Sequence, residues 1–366
     1  MTNTALLAGG HQADETEQPL SEGKVSIKNI LWPLLLSLSV LVVISYYTFD
    51  LDTFGQLLGE LNLWLLLAAV GTVFTRIFFG GWRLNHVSHG QLSMRDGIRS
   101  QLAWDFFAYV TPSTIGGGPF AAVFVAKDRG IPLGEATSIF LFSIVMDHFW
   151  SAFLMPTMII LSFYLDVFPD AMGTVGFATI LTAFVLFVAW VIILAYSTLF
   201  NPRFLAAIVG TVFRLKWIRR FRWRALRVMG EMQQSSKELR SQRPRFYVIG
   251  FGMTLVPWLS RYLLPMFLIW SVYPVVDRLL VLLRAAALQL GAIFLPTPGG
   301  AGAMEGLYLL FFGPPIMPQS LVAPTLLVWR LLSYYLFIFI GLYIAIQYVQ
   351  RRVTSSSARP VTARAE

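Results

Sequence analysis

The sequence predicts an all-α integral membrane protein: six full transmembrane helices plus two re-entrant helical hairpins in an inverted repeat. Three observations predict it. The 366 residues are 56% hydrophobic and only 13% charged, with a mean hydropathy of +0.66, whereas soluble domains carry about a quarter charged residues. Six apolar stretches reach the roughly 20 residues that a helix needs to cross about 30 Å of hydrocarbon. Two more apolar stretches are broken at the middle by proline and glycine.

Residues 1–29 are polar and mixed in charge, and read as a disordered cytoplasmic tail without a signal peptide. The crossings follow at Ile30 to Phe49, Leu61 to Phe79, Ala136 to Leu165, Val175 to Leu199, Phe246 to Trp270 and Leu321 to Tyr348. The broken stretches are Ile98 to Val125 and Leu279 to Phe312. Residues 349–366 read as a second cytoplasmic tail. Lysine and arginine near span ends stay cytoplasmic. The acidic connections with Asp50, Asp52 and Glu60, and with Asp166 and Asp170, therefore face outward. Arg83, Arg95 and Arg99, the segment 201–245 with twelve basic residues, and Arg351 and Arg352 face inward. This vote puts both termini in the cytoplasm and makes each broken stretch return to the side it entered from. Within 201–245, the run from Arg214 to Arg227 sets Ile218, Phe221 and Ala225 at helical spacing among basic residues. It reads as an interfacial helix on the inner leaflet of the cell membrane. Tryptophans in that run suit a membrane interface, and nucleic acid is not an expected partner.

A shift of 186 residues lays Thr111-Pro112 over Thr297-Pro298 and Pro132 over Pro318. Repeat 1 spans about 98–165 and repeat 2 about 279–348, with opposite orientations by the charge vote. Paired interrupted segments in inverted halves point to a transporter site near the midplane. Proline removes a donor and glycine permits positive φ, so each break exposes backbone groups that lipid cannot satisfy. The half-helix that follows offers N–H groups and a positive dipole end to an anion such as phosphate. The competing reading is a pair of packing kinks.

Ionisable residues inside spans cost at least about 2.5 to 3.5 kcal/mol on insertion scales, so those retained are functional candidates. They are Arg76, Asp147, His148, Arg261 and Arg330 in the crossings, and Asp105, Arg284 and Glu305 in the broken stretches. The predicted substrate site combines Thr111, Pro112, Gly116 and Gly117 with Thr297, Pro298, Gly299, Gly300 and Gly302. To these it adds Asp147, Arg261, Arg284, Glu305 and Arg330, the arginines receiving phosphate and the acids balancing them. Alternatively, Asp147 and one arginine form an internal pair and Glu305 caps its half-helix. No cysteine is present and the histidines at 11, 86, 89 and 148 are scattered, so no metal site or cofactor is predicted.

The motif Leu295-Pro296-Thr297-Pro298-Gly299-Gly300-Ala301-Gly302-Ala303-Met304-Glu305-Gly306 resembles a signature of the lysylphosphatidylglycerol synthase transmembrane-region family. Val110 to Pro119, followed by Lys127, Gly130-Ile131 and Ala136, resembles that family's first signature. The resemblance covers roughly residues 30–348. It implies multiple spans, an inverted repeat and a lipid translocase, the best-known members flipping aminoacylated phosphatidylglycerol. Many members carry a glutamate directly after the first glycine pair, where this chain has Gly118, so only the second repeat keeps its acid. No soluble aminoacyl-transfer domain follows Tyr348, so lipid aminoacylation by this chain alone is not expected.

The function predicted is translocation of an anionic or aminoacylated phospholipid, or of a polyprenyl-linked lipid, by headgroup capture between the hairpins. The partners expected are such lipids and a lipid-modifying enzyme. The alternative is a membrane enzyme acting on a lipid-linked phosphate or sugar. It would need a base beside Thr111, Ser113 or Thr297, and only Asp105 is a candidate.

Overall fold

The structure is a computed structural model that describes residues 27–48, 61–111, 117–197, 237–295 and 297–357, with the single positions 55, 201 and 204. The acidic connection after the first crossing, the basic interfacial run, Pro112 to Gly116 and most of both tails lie outside the described residues.

Every long element among the described residues is helical. They are α1 (Ile27–Thr48), α2 (Leu63–Val87), α3 (Met94–Val110), α4 (Gly118–Arg129), α5 (Leu133–Leu161) and α6 (Gly173–Ala195). After the basic segment come α7 (Pro244–Val272), α8 (Arg278–Ala292), α9 (Ala303–Phe312), α10 (Gln319–Arg330) and α11 (Leu336–Ser357). A single π-type turn, Leu331–Tyr335, joins α10 to α11.

Among the described residues five stretches are long and apolar enough to cross a bilayer: Leu63–Val87, Leu133–Leu161, Asp170–Ala195, Pro244–Val272 and Gln319–Ile344. The chain is therefore a multi-pass all-α membrane protein. Helix α1, Ile27–Thr48, is 22 residues long and is apolar over Leu35–Tyr47. Large apolar side chains such as Phe74 and Phe78 of α2, Phe149 and Phe153 of α5, and Val185 and Ile192 of α6 point outward. In water such a surface would drive association; against lipid it is the expected exterior.

The order long helix, broken pair, long helix occurs twice, as α2 to α5 and as α7 to α11. The two leading helices, α2 and α7, pack along one another. Asn62 N–H donates to Ser271 O at 2.9 Å at one end, and His86 Nε2 lies 3.0 Å from Phe246 O at the other. Contacts of start with end at both extremities make the pair antiparallel. Side chains cap the first turns: Asn62 accepts from Trp64 and Leu65, Ser93 from Asp96, and Asp277 from Leu280.

Each broken pair folds back on itself. A Cβ on Gly117 would lie 2.0 Å from the Trp104 carbonyl oxygen and 2.7 Å from Ala108 N, so this glycine rests on the α3 backbone. In the second pair, Gly299, Gly300 and Gly302 hold φ of 59°, 67° and 81°, a left-handed region that glycine enters without penalty. The apolar core follows this division. One cluster surrounds Leu84, Val125, Phe140 and Phe142, and a larger one surrounds Ile269, Tyr308, Phe312 and Trp329.

Three sequence expectations need correction. The second crossing runs on to Val87, so Arg83 sits inside α2 at 3% exposure and cannot be counted as a loop cation. Arg95 at the start of α3 remains exposed. Helix also extends into both stretches read as tails, from Ile27 and as far as Ser357.

Helices α2 and α3 meet backbone to backbone. A Cβ on Gly97 would lie 2.2 Å from Gly81 O, and one on Gly81 would lie 2.7 Å from Ile98 Cα. Small residues permit such an approach in membrane helices. Gly97→Ala is expected to lower the thermal midpoint in detergent, with about 1 to 3 kcal/mol of overpacking. Gly71→Ala, where a Cβ meets nothing within 4 Å, should leave the midpoint unchanged.

Candidate functional site

Four arginines enter the middle of the bundle, and three of them carry a carboxylate. Arg76 of α2 meets Asp105 of α3 at 2.6 Å and also donates to Tyr109 OH at 3.2 Å. Gln101 holds the other oxygen of Asp105 at 3.2 Å. Arg83, two helical turns beyond Arg76 on the same face, meets Asp147 of α5 at 2.6 Å. Trp258 Nε1 donates to the same Asp147 oxygen at 2.8 Å. Arg330 grips Glu305 with two parallel bonds, Nε to Oε1 at 2.8 Å and Nη2 to Oε2 at 2.7 Å. The fork matches a carboxylate, which is why arginine suits this buried position. Ser37 of α1 donates to Glu305 and lies 2.9 Å from Tyr335 OH, so Glu305 is fully enclosed.

Arg261 of α7 differs. Its nearest carboxylate oxygen, on Asp105, is 3.7 Å away, beyond hydrogen-bond distance and already taken by Arg76. Its guanidinium lies 4.8 Å from the Trp258 ring centre, its side chain is 30% exposed, and its buried Nε has no hydrogen-bond partner among the described residues.

These groups surround a cavity of about 260 Å³. Thr111 from the first break and Thr297, Gly299 and Gly300 from the second line it. So do Arg76, Arg83, Arg261 and Arg330, together with Asp105 and Asp147. The two broken pairs thus open on one polar space. The Thr111 hydroxyl donates to Phe107 O at 2.6 Å, closing the last turn of α3, whereas the Thr297 hydroxyl has no partner among the described residues.

The remaining predicted site residues fall elsewhere. Gly117, Pro298, Gly302 and Glu305 shape the breaks without lining the cavity, and Pro112 and Gly116 lie outside the described residues. Arg284 does not line it either. It donates to Asp166 O at 2.9 Å and Phe311 O at 3.0 Å, fastening the end of α9 to the loop after α5. Asp147 and Arg330, close in predicted depth, are not partners. His148 lines the cavity while bonding Ile144 O at 2.9 Å. Sequence reasoning missed Arg83, Gln101, Trp258, Trp329 and Ser37. Only Arg83 left a signal, its seven-residue spacing from Arg76.

The first repeat carries no counterpart of the Arg330–Glu305 pair among the described residues. The shift that aligns the two Thr-Pro pairs sets Arg330 over Ile144, and a Cβ on Gly118 would lie 2.7 Å from Ile144 Cδ1. The same shift sets Glu305 over Pro119, so where the second repeat has a carboxylate and a guanidinium the first has proline and isoleucine, with Gly118 resting on that isoleucine. Acid and base are both absent, so no buried charge is left unpaired.

Among known families, that described as "Lysylphosphatidylglycerol synthase TM region" matches residues 30–341. No curated protein and no solved structure matches the chain.

The pairing makes a prediction that separates structure from function. Arg330→Ala, which strands a fully buried carboxylate, should cost about 3 to 5 kcal/mol of stability. Arg261→Ala removes a cation without a close partner and should leave the thermal midpoint in detergent near that of the unaltered protein.

Proposed function

Because the chain belongs to the lysylphosphatidylglycerol synthase transmembrane-region family, we propose that it is a lipid translocase. It would carry an anionic or aminoacylated phospholipid, or a polyprenyl-linked lipid, between the leaflets of the cell membrane. In this reading α1, α2, α5, α6, α7 and the α10–α11 helix cross the bilayer, while α3–α4 and α8–α9 are re-entrant hairpins from opposite faces. The antiparallel pairing of α2 with α7 supports an inverted relation between the halves. The excess of basic residues in 201–245 supports cytoplasmic termini.

One observation carries the reading: a polar cavity shared by both breaks holds a guanidinium, Arg261, whose nearest carboxylate among the described residues is 3.7 Å away and already bonded to Arg76. A phosphate entering from lipid would supply the missing charge and accept from Arg261, while its acyl or prenyl tails stay in hydrocarbon. Half-helices opening at Gly118 and Ala303 direct N–H groups towards the breaks. Rocking of one half against the other would then change the side to which the cavity opens.

An acyl-labelled anionic phospholipid in proteoliposomes tests this. The protein should expose inner-leaflet label to an impermeant quencher. Arg261→Ala should slow that step by at least about tenfold, given the worth of a charge-assisted hydrogen bond. Arg261→Lys should retain part of the rate. Equal rates for the unaltered protein and Arg261→Ala would refute the assignment.

A further inference from the structure

The charges and the unpartnered donors around the cavity select one kind of headgroup. Resting on the translocase reading, we infer that the lipid is a phosphate ester bearing a neutral, hydroxylated headgroup, such as a glycerol or a sugar, and not a cationic aminoacyl headgroup.

An aminoacyl ester presents an ammonium, which in a site of low dielectric needs a free carboxylate; the neutral Gln101 Oε1, which lines the cavity without a partner among the described residues, can accept from it but cannot cancel its charge. Among the described residues the two carboxylates that line the cavity are engaged, Asp105 by Arg76 and Asp147 by Arg83 and Trp258, and Glu305, enclosed behind it, is held by Arg330 and Ser37. What remains over is positive, on Arg261. An ammonium bound here would face a surplus guanidinium in a site of low dielectric, where like charges repel far more strongly than in water.

Neutral hydrogen-bonding groups also border the cavity. Thr297, Trp329 and Ser333 line it, and Thr297 Oγ1, Trp329 Nε1 and Ser333 Oγ are buried without a hydrogen-bond partner among the described residues. Trp329 is 1% exposed, so its indole N–H has no recourse to bulk water. Tyr334, fully buried, has a hydroxyl in the same state and packs against Gly299 of the break. Buried polar groups are normally satisfied, and several orphans grouped on one wall mark where an absent ligand's polar atoms belong. Ser333 and Tyr334 sit in the π-type turn after Arg330, a local widening that turns side chains out of the regular helical register. Hydroxyls of a glycerol or sugar both donate and accept, so they can serve an indole N–H and three side-chain hydroxyls alike.

The test compares three lipids in vesicles of otherwise identical composition: phosphatidylglycerol, lysyl-phosphatidylglycerol and phosphatidic acid. Phosphatidylglycerol should move at least about tenfold faster than lysyl-phosphatidylglycerol, which adds an ammonium, and than phosphatidic acid, which lacks the hydroxyls. A fourth arm with a polyprenyl-phosphate hexose separates the two sources of the same chemistry, since the faster of the two hydroxylated lipids identifies the source. Trp329→Phe, which keeps the ring and removes the N–H, and Ser333→Ala should narrow the ratio of phosphatidylglycerol to phosphatidic acid. The ratio is taken within each variant, so a lower yield of folded protein cancels. Equal rates for the lysyl and unmodified lipids, or for phosphatidic acid and phosphatidylglycerol, would overturn the inference and leave the translocase reading standing. Movement of none of the four would remove both.

Discussion

A guanidinium inside a membrane bundle has to be neutralised where it lies, and the interior is organised around meeting that demand. Arg76–Asp105, Arg83–Asp147 and Arg330–Glu305 each join a different pair of elements: α2 to α3, α2 to α5, and α10 to α9. Each pair compensates charges that would separately cost several kcal/mol to keep from water. Removing one partner leaves the other exposed to that cost, so the pairs fix which helices must be neighbours. With these three satisfied, the fourth cation defines what the cavity lacks.

The two halves then play unequal parts. In the second, Ser37 of α1, Glu305, Arg330 and Tyr335 knit the glycine-rich break into the long helix. In the first, Gly118 against Ile144 does the equivalent packing without charge. The surplus cation comes from neither broken pair but from α7, the helix leading into the second. A twice-repeated order of helices thus carries a cavity lined unequally, Arg261 coming from α7 and Trp329 and Ser333 from the end of α10 and the turn after it.

Much of the scaffold was legible in the sequence, because hydrophobic length, proline and glycine act locally. The long apolar runs, the two breaks and their common order follow from such signals. The helix ends were less legible: Gly80-Gly81-Trp82 prolongs the apolar run of α2 only weakly, and Arg83 then reads as a loop residue although it is buried. Pairing could not be read, because it depends on the rotation of each helix and on interhelical distance. Depth alone brought Asp147 and Arg330 together, whereas rotation gives them to Arg83 and Glu305. Arg284 illustrates the same point, since its depth suited the site while its side chain turns to two backbone carbonyls at the end of α9. Trp329 and Ser333 carry no charge and follow no motif, so only their place on the cavity and their unpartnered polar atoms reveal them.

The claim on which all of this stands is that both breaks face one water-accessible space within the bilayer. The absence of any native cysteine allows a direct measurement: single-cysteine variants Thr111→Cys and Thr297→Cys, treated in membranes with a small, charged thiol reagent. Both should be labelled, and an anionic lipid added in excess should protect both. If neither reacts while Asp170→Cys, at an exposed loop position, is labelled fully, the breaks are dry packing kinks and the cavity is not a lipid-headgroup site.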